Sequence, residues 1–197
     1  MLGVFLDSET NGLDWTIHVI LEISFIIKNL ITGEELATYD ALITPSEEEW
    51  KRSDPESLHF TGISKESLLK SGKERQLVKK EILEIFKNSN IERGKAVFIC
   101  QNPSFDRIFF SGIIDVTTQE RLNLPYYWLD LASMYWSKQI LAKKSLENLS
   151  ISKDAIAKYY GLPEEEKPHR SIGGVNHLII CYNAVVGFPG KDSPKCV

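Results

Sequence analysis

The stretch Val4-Phe5-Leu6-Asp7-Ser8-Glu9-Thr10-Asn11-Gly12-Leu13 constrains this chain more than any other. It begins as an apolar run and then sets two carboxylates two residues apart. Side chains at i and i+2 of a β-strand share a face, so Asp7 and Glu9 point the same way. Two acids side by side on an apolar strand repel each other and resist burial. A divalent cation between them removes the conflict, because hard cations such as Mg²⁺ take carboxylate oxygens. A strand that ends in a polar turn with both acids solvated accounts for the stretch equally well when it is taken alone. The other segments decide between the two.

The 197 residues fit one domain, or a domain with a small extension. With 43% hydrophobic and 25% charged residues, the chain can bury a core without disulfides or structural metals. A net charge of −4 excludes a general polycation, so any nucleic-acid contact must come from a local basic patch or from metal ions. Cys100, Cys181 and Cys196 are odd in number and widely spaced, which argues against a disulfide framework or zinc site and for a reducing compartment. The N-terminus lacks the pattern of a signal peptide, and no apolar run reaches transmembrane length. These features predict a soluble, cytoplasmic protein that does not associate with membranes.

Residues 2–6, 17–28 and 36–43 read as strands joined by short turns, an antiparallel meander with Glu22 the one acid inside its second strand. Residues 47–55 read as polar loop. Ser64 to Ser67 has the start of a helix cap, and apolar positions near a 3.6-residue period predict a helix over 73–87. Ala96 to Cys100 is a short strand of the buried parallel type, and a helix runs on from Asp106. A fifth strand is expected at 126–130 and a helix from there through about Leu141. A further helical stretch ends at Tyr160, before Gly161-Leu162-Pro163. The run Glu164-Glu165-Glu166 reads as a solvated loop, 170–186 as the last helix, and 188–197 as a loose tail. The order predicts one α/β domain, a mixed five-stranded sheet flanked by helices.

Reactive groups in an open α/β sheet gather at the carboxyl ends of its strands. Asp7 and Glu9, Asp106 and His169 could meet there. In order and spacing the chain resembles the DEDDh-type 3′→5′ exonucleases, the superfamily of proofreading exonucleases, ribonuclease T and oligoribonuclease. The first motif of that family, Asp-x-Glu-Thr-x-Gly-Leu, stands here as Asp7 to Leu13; a His-x-x-Gly-Ile-Ser/Thr element stands as His59 to Ser64. The second motif, His-Asn-x-x-Phe-Asp, stands as Gln101 to Asp106, with Gln in first place. The third, His-x-Ala-x-x-Asp, begins at His169 but ends on Gly174 where the family has its fourth acid. The nearest polar side chain, Asn176, comes two residues late.

The resemblance implies a ribonuclease H-like fold over residues 1–187 and a site for two Mg²⁺ or Mn²⁺ ions, roughly 3.5–4 Å apart in such sites. Asp7 would bridge both ions, Glu9 would bind the one that carries the attacking water, Asp106 would hold the other, and His169 would take the water's proton. Leu13 and the backbone at Asn11-Gly12 would cradle the terminal nucleotide, with Phe60 and Phe105 against base or sugar. The substrate implied is the 3′ end of single-stranded DNA or RNA, released as nucleoside 5′-monophosphates. The missing acid at Gly174 keeps a second function in play, a binder of 3′ ends or of a protein partner that does not cleave. A phosphatase using the same acids has no supporting motif. Many relatives form a homodimer, but no interface stripe is legible here.

Other residues read more plainly. His18 and His177 lie among apolar neighbours, as core or surface histidines do. Asp130 ends a strand and reads as a helix N-cap rather than a metal ligand. Trp128, Tyr135 and Trp136 read as core or a surface aromatic cluster. Lys138, Lys143, Lys144, Lys153, Lys158, Lys167 and Arg170 read as a solvated basic face that could also line the path of a strand.

Overall fold

In a computed structural model, residues 1–165 and 167–190 are described. Cys196 and most of the expected tail lie outside them. The first strand, β1 (Leu2–Thr10), is four residues longer than its apolar run, so Asp7 and Glu9 stand within the strand. It pairs antiparallel with β2 (Ile20–Asn29), which pairs antiparallel with β3 (Glu35–Leu42). On its other side β1 runs parallel to β4 (Ala96–Cys100), and β4 runs parallel to β5 (Trp128–Asp130). The sheet order is β3-β2-β1-β4-β5, the expected mixed five-stranded α/β sheet with the acid-bearing strand at its centre.

Both faces of β1 are covered, which is why its apolar run does not alternate. Val4 and Leu6 pack with Phe25, Phe98 and the buried side of α4 (Arg75–Asn88), where Val78, Ile82 and Phe86 recur at helical spacing. The helix α5 (Pro103–Phe110) adds Phe109 and Phe110 to this layer. Phe5 packs on the opposite face, under α7 (Leu131–Leu141), α8 (Lys153–Tyr160) and α9 (Ser171–Val185). By strand alternation Asp7 and Glu9 follow Phe5 onto the α8–α9 side, while Ser8 follows Leu6 toward α5.

The stretch at 47–55 is not all loop. It contains α1 (Glu47–Lys51), started by a capping box in which Ser46 and Glu49 bond each other's backbone N–H groups. The next helix, α2 (Pro55–Thr61), is capped by Asp54 and stopped at Gly62, whose φ of 66° lies in the left-handed region. His59 thus lies in the last turn of this helix. The cap read at Ser64 does open a helix, α3 (Lys65–Ser71), and a short helix not expected from periodicity, α6 (Val116–Arg121), follows α5. The tail does not begin at 188, because Phe188 is 3% exposed and packs against Phe5 and Tyr182. Among the described residues no helix is long and apolar enough to cross a membrane.

Candidate active site

The parallel strands β1 and β4 end side by side, and a cleft of about 350 Å³ opens over their carboxyl ends. Asp7, Glu9, Asp106 and His169 all line it, with Phe60 and Phe105. Asp106 is placed by α5, which starts at Pro103 right after β4 and buries the carboxylate to 3% exposure. The Ser8 hydroxyl donates to Asp106 Oδ1 at 2.7 Å. Burial, followed by the charge of Asp7, pushes Asp106 well above the usual carboxylate range. Burial also raises Glu9 to about 8, helped by the charges of Asp7 and Glu22. Asp7 is raised to about 6 by burial, against the lowering effect of Lys153. For all three acids the charge of Lys153 acts in the lowering direction, and burial outweighs it.

The opposite wall is different. Lys153, the first residue of α8, is only 14% exposed in its side chain. Its ammonium lies 3.0 Å from Glu165 Oε2, 3.8 Å from Asp7 Oδ1 and 3.4 Å from the Gly174 carbonyl. Lys153 is thus not part of a solvated face, and Glu165, with its side chain 5% exposed, is not part of a solvated acidic run. Burial would raise Glu165, but Lys153 and His169 outweigh it and hold the carboxylate below its ordinary range. The other Glu165 oxygen lies 3.2 Å from His169 Nδ1. The His169 ring stacks on Phe60 with centroids 4.1 Å apart and planes 8° from parallel.

Just after His169, Arg170 and the Ser171 N–H converge on Glu22, which is fully buried on β2. The Arg170 guanidinium donates to both Glu22 oxygens, and the Ser171 N–H adds a bond of 2.8 Å. A carboxylate at the first turn of α9 also suits the helix dipole. Glu22 therefore fixes where α9 begins, and with it where His169 stands.

Gly174 faces Asp7 directly. A Cβ added there would come within 1.9 Å of Asp7 Oδ2 and 3.1 Å of Lys153 Nζ. The space beside Gly174 is taken up by the Asp7 carboxylate and the lysine ammonium. Among the described residues, Asp154, Glu165 and His177 form the one group of three whose ligand atoms lie within 4.8 Å of one another. His177 contacts the Pro163 carbonyl through Nε2, while its buried Nδ1 has no hydrogen-bond partner and lies 3.5 Å from Glu165 Oε2. That oxygen already faces Lys153.

Two expected substrate contacts have other work. The Asn11 side chain donates to the Glu49 carbonyl and Ser53 Oγ and accepts from the Val19 N–H, and its backbone bonds Val19 and Asp54. Gly12 lies so close to the His18 ring that a Cβ would meet it at 2.4 Å. Neither is among the residues that line the cleft, whereas Leu13 lines its continuation beside Phe60 and Phe105. Asp130 caps α7, accepting from the Ala132 and Ser133 N–H groups, and accepts from Asn102 N–H as well.

A family model described as Exonuclease, of the RNase T type, matches residues 4–175. Among solved structures, E. coli exonuclease I in complex with a dT13 oligonucleotide superposes with a TM-score of 0.73 at 15% identity, over 95% of this chain and 41% of that one. The zinc-bound E. coli exonuclease I–ssDNA complex gives 0.74 at 14% identity, over 98% and 41%. Cell-death related nuclease 4 gives 0.70 at 13% identity, over 95% and 65%. The chain thus spans about two fifths of the exonuclease I chain. At these identities the likeness speaks for the fold.

Proposed function

The chain belongs to the RNase T exonuclease family, and from that premise we propose that it is a metal-dependent 3′→5′ exonuclease acting on single-stranded DNA or RNA. It would release nucleoside 5′-monophosphates. The observation that carries this reading is the cleft that joins three largely buried acids to a histidine held by a carboxylate.

Asp7, Glu9 and Asp106 suit a hard divalent cation such as Mg²⁺ or Mn²⁺ by the chemistry of their donors, since all three line one cleft and offer carboxylate oxygen. Bound there, such an ion supplies Lewis acidity at phosphate and lowers the pKa of water. His169 turns Nδ1 to Glu165, which leaves Nε2 as the nitrogen that accepts a proton from the attacking water. The water oxygen bonds to phosphorus as the bond to the 3′ oxygen of the penultimate nucleotide breaks. Phe60 holds the imidazole plane by stacking, and with Leu13 and Phe105 offers apolar surface to the terminal nucleotide. The cytoplasm suits this protein, whose Cys100 and Cys181 are buried free thiols.

One observation favours a second reading. The lysine at the place of the fourth acid is compatible with a protein that grips 3′ ends and does not cut. Digestion of 5′- and 3′-labelled single-stranded oligomers with Mg²⁺ or Mn²⁺ separates the two. The expected result is a descending ladder from the 5′ label and immediate release of the 3′ label as mononucleotide, both abolished by Asp7→Ala. Internal cuts or shortening from the 5′ end would overturn the reading, and tight 3′-end binding without turnover would select the binder.

A further inference from the structure

A site for two divalent ions needs enough carboxylate to balance four positive charges. Here the acid that would complete the set is absent at Gly174, and a cation is already present. Lys153 is carried into the site by α8, whose first turn is fixed by the Ser152 side chain accepting from the Ala155 N–H. Its ammonium is enclosed by Glu165, Asp7 and the Gly174 carbonyl. A glycine at 174 is what lets the Asp7 carboxylate and the ammonium share this space, because any side chain would collide with Asp7.

We infer that the Lys153 ammonium is a resident cation that replaces one of the family's two divalent ions, leaving Asp7, Glu9 and Asp106 to hold a single one. The inference deepens the exonuclease reading and rests on it. A divalent ion on the Asp7 oxygen beside Lys153 would lie against the ammonium, which is 3.8 Å from that oxygen, whereas Glu9 and Asp106 offer further carboxylates in the same cleft. Lys153 also reaches the base: it binds one oxygen of Glu165 while His169 contacts the other. The amine that stands in for an ion thus fixes the carboxylate that orients the histidine, which makes Lys153 a positioning residue as well as a charge.

Counting bound Mn²⁺ tests this without relying on turnover. Wild type, Lys153→Arg, Lys153→Met and Lys153→Gln are titrated with Mn²⁺ alone, with the free ion followed by electron paramagnetic resonance and folding checked by circular dichroism. One Mn²⁺ per chain is expected for wild type and Lys153→Arg. Two are expected for whichever neutral variant folds, because Asp7 and Glu165 are then released to bind the second ion. Two ions on wild type, none on wild type, or no gain in a folded neutral variant would overturn the inference. Oligomer digestion run in parallel separates the two proposals. One bound ion without digestion sinks the nuclease reading and leaves the lysine in place, while digestion with two bound ions does the reverse.

Discussion

The two walls of the cleft solve the same electrostatic problem in opposite ways. The strand wall, with Asp7, Glu9 and Asp106, buries acids and supplies no cation of its own, so they are driven toward protonation. The helix wall pairs its acid, Glu165, with Lys153 and His169, and Glu165 is driven toward ionisation instead. An uncompensated buried charge asks for a ligand, whereas a compensated one serves as scaffold. Asp7 belongs to both walls, which is why it is only moderately raised.

The largest effects should follow from Asp7. Asp7→Asn is expected to lower turnover by roughly 10³-fold, the scale seen when a group that stabilises the transition state is removed. Gly174→Asp, which supplies the acid implied there by the sequence resemblance, is expected to lower activity rather than raise it, because the added Cβ displaces Asp7. Steady-state digestion rates check both, and a gain in Gly174→Asp would show that Asp7 has room to turn.

Next in size is the helix wall. Lys153→Met removes the countercharge of a buried carboxylate and is expected to cost about 3 kcal/mol in urea unfolding without metal. Added Mn²⁺ should return part of this. An equal loss with and without Mn²⁺ would mean that Lys153 is only a packing residue.

The pH dependence of stability distinguishes the walls directly. Acids whose folded pKa is raised stabilise the fold fully below their unfolded pKa, and that stability is lost as pH rises through the folded pKa. Glu9 at about 8 and Asp7 at about 6, with Asp106 raised as well, therefore place the loss between about pH 4 and pH 8. Glu165 is lowered and Lys153 raised, so their contribution is nearly constant from about pH 5 to pH 9. Metal-free protein should lose on the order of 3 kcal/mol between about pH 5 and pH 8.5. Glu9→Gln should flatten the curve, and Mg²⁺ should lift its alkaline end. A stability that rises over this range would contradict the raised acids.

The smallest effect concerns Phe60. Its ring is exposed apart from the stack on His169, so Phe60→Ala is expected to cost about 1 kcal/mol, a fewfold loss of kcat/KM. A Tyr replacement should restore most of it if stacking is the cause.

The strand wall was legible in the sequence and the helix wall was not. Period-two alternation places Asp7 and Glu9 on one face without any structure, and the five strands follow from their apolar runs. The spacing of Glu165 and His169, four residues apart, looks like one helical turn, but neither residue belongs to a helix among the described residues. Lys153 stands among other lysines, and only the docking of α8 against α9 turns it inward. Glu22 was visible as a lone acid in an apolar strand, yet its partners lie nearly 150 residues away, at Arg170 and Ser171. Asn11 shows the converse: it sits inside the most recognisable motif, and its polar atoms are spent on bracing the loop to α1. The short α1 was in principle readable, since Ser46 and Glu49 form a capping box across three residues.

The contrast between the walls is tested most directly by an anomalous difference map from a crystal soaked in Mn²⁺. The predicted result is a single peak coordinated by acids of the strand wall, with the Lys153 ammonium still against Glu165. Two peaks flanking Asp7, or a peak where the ammonium now lies, would contradict it.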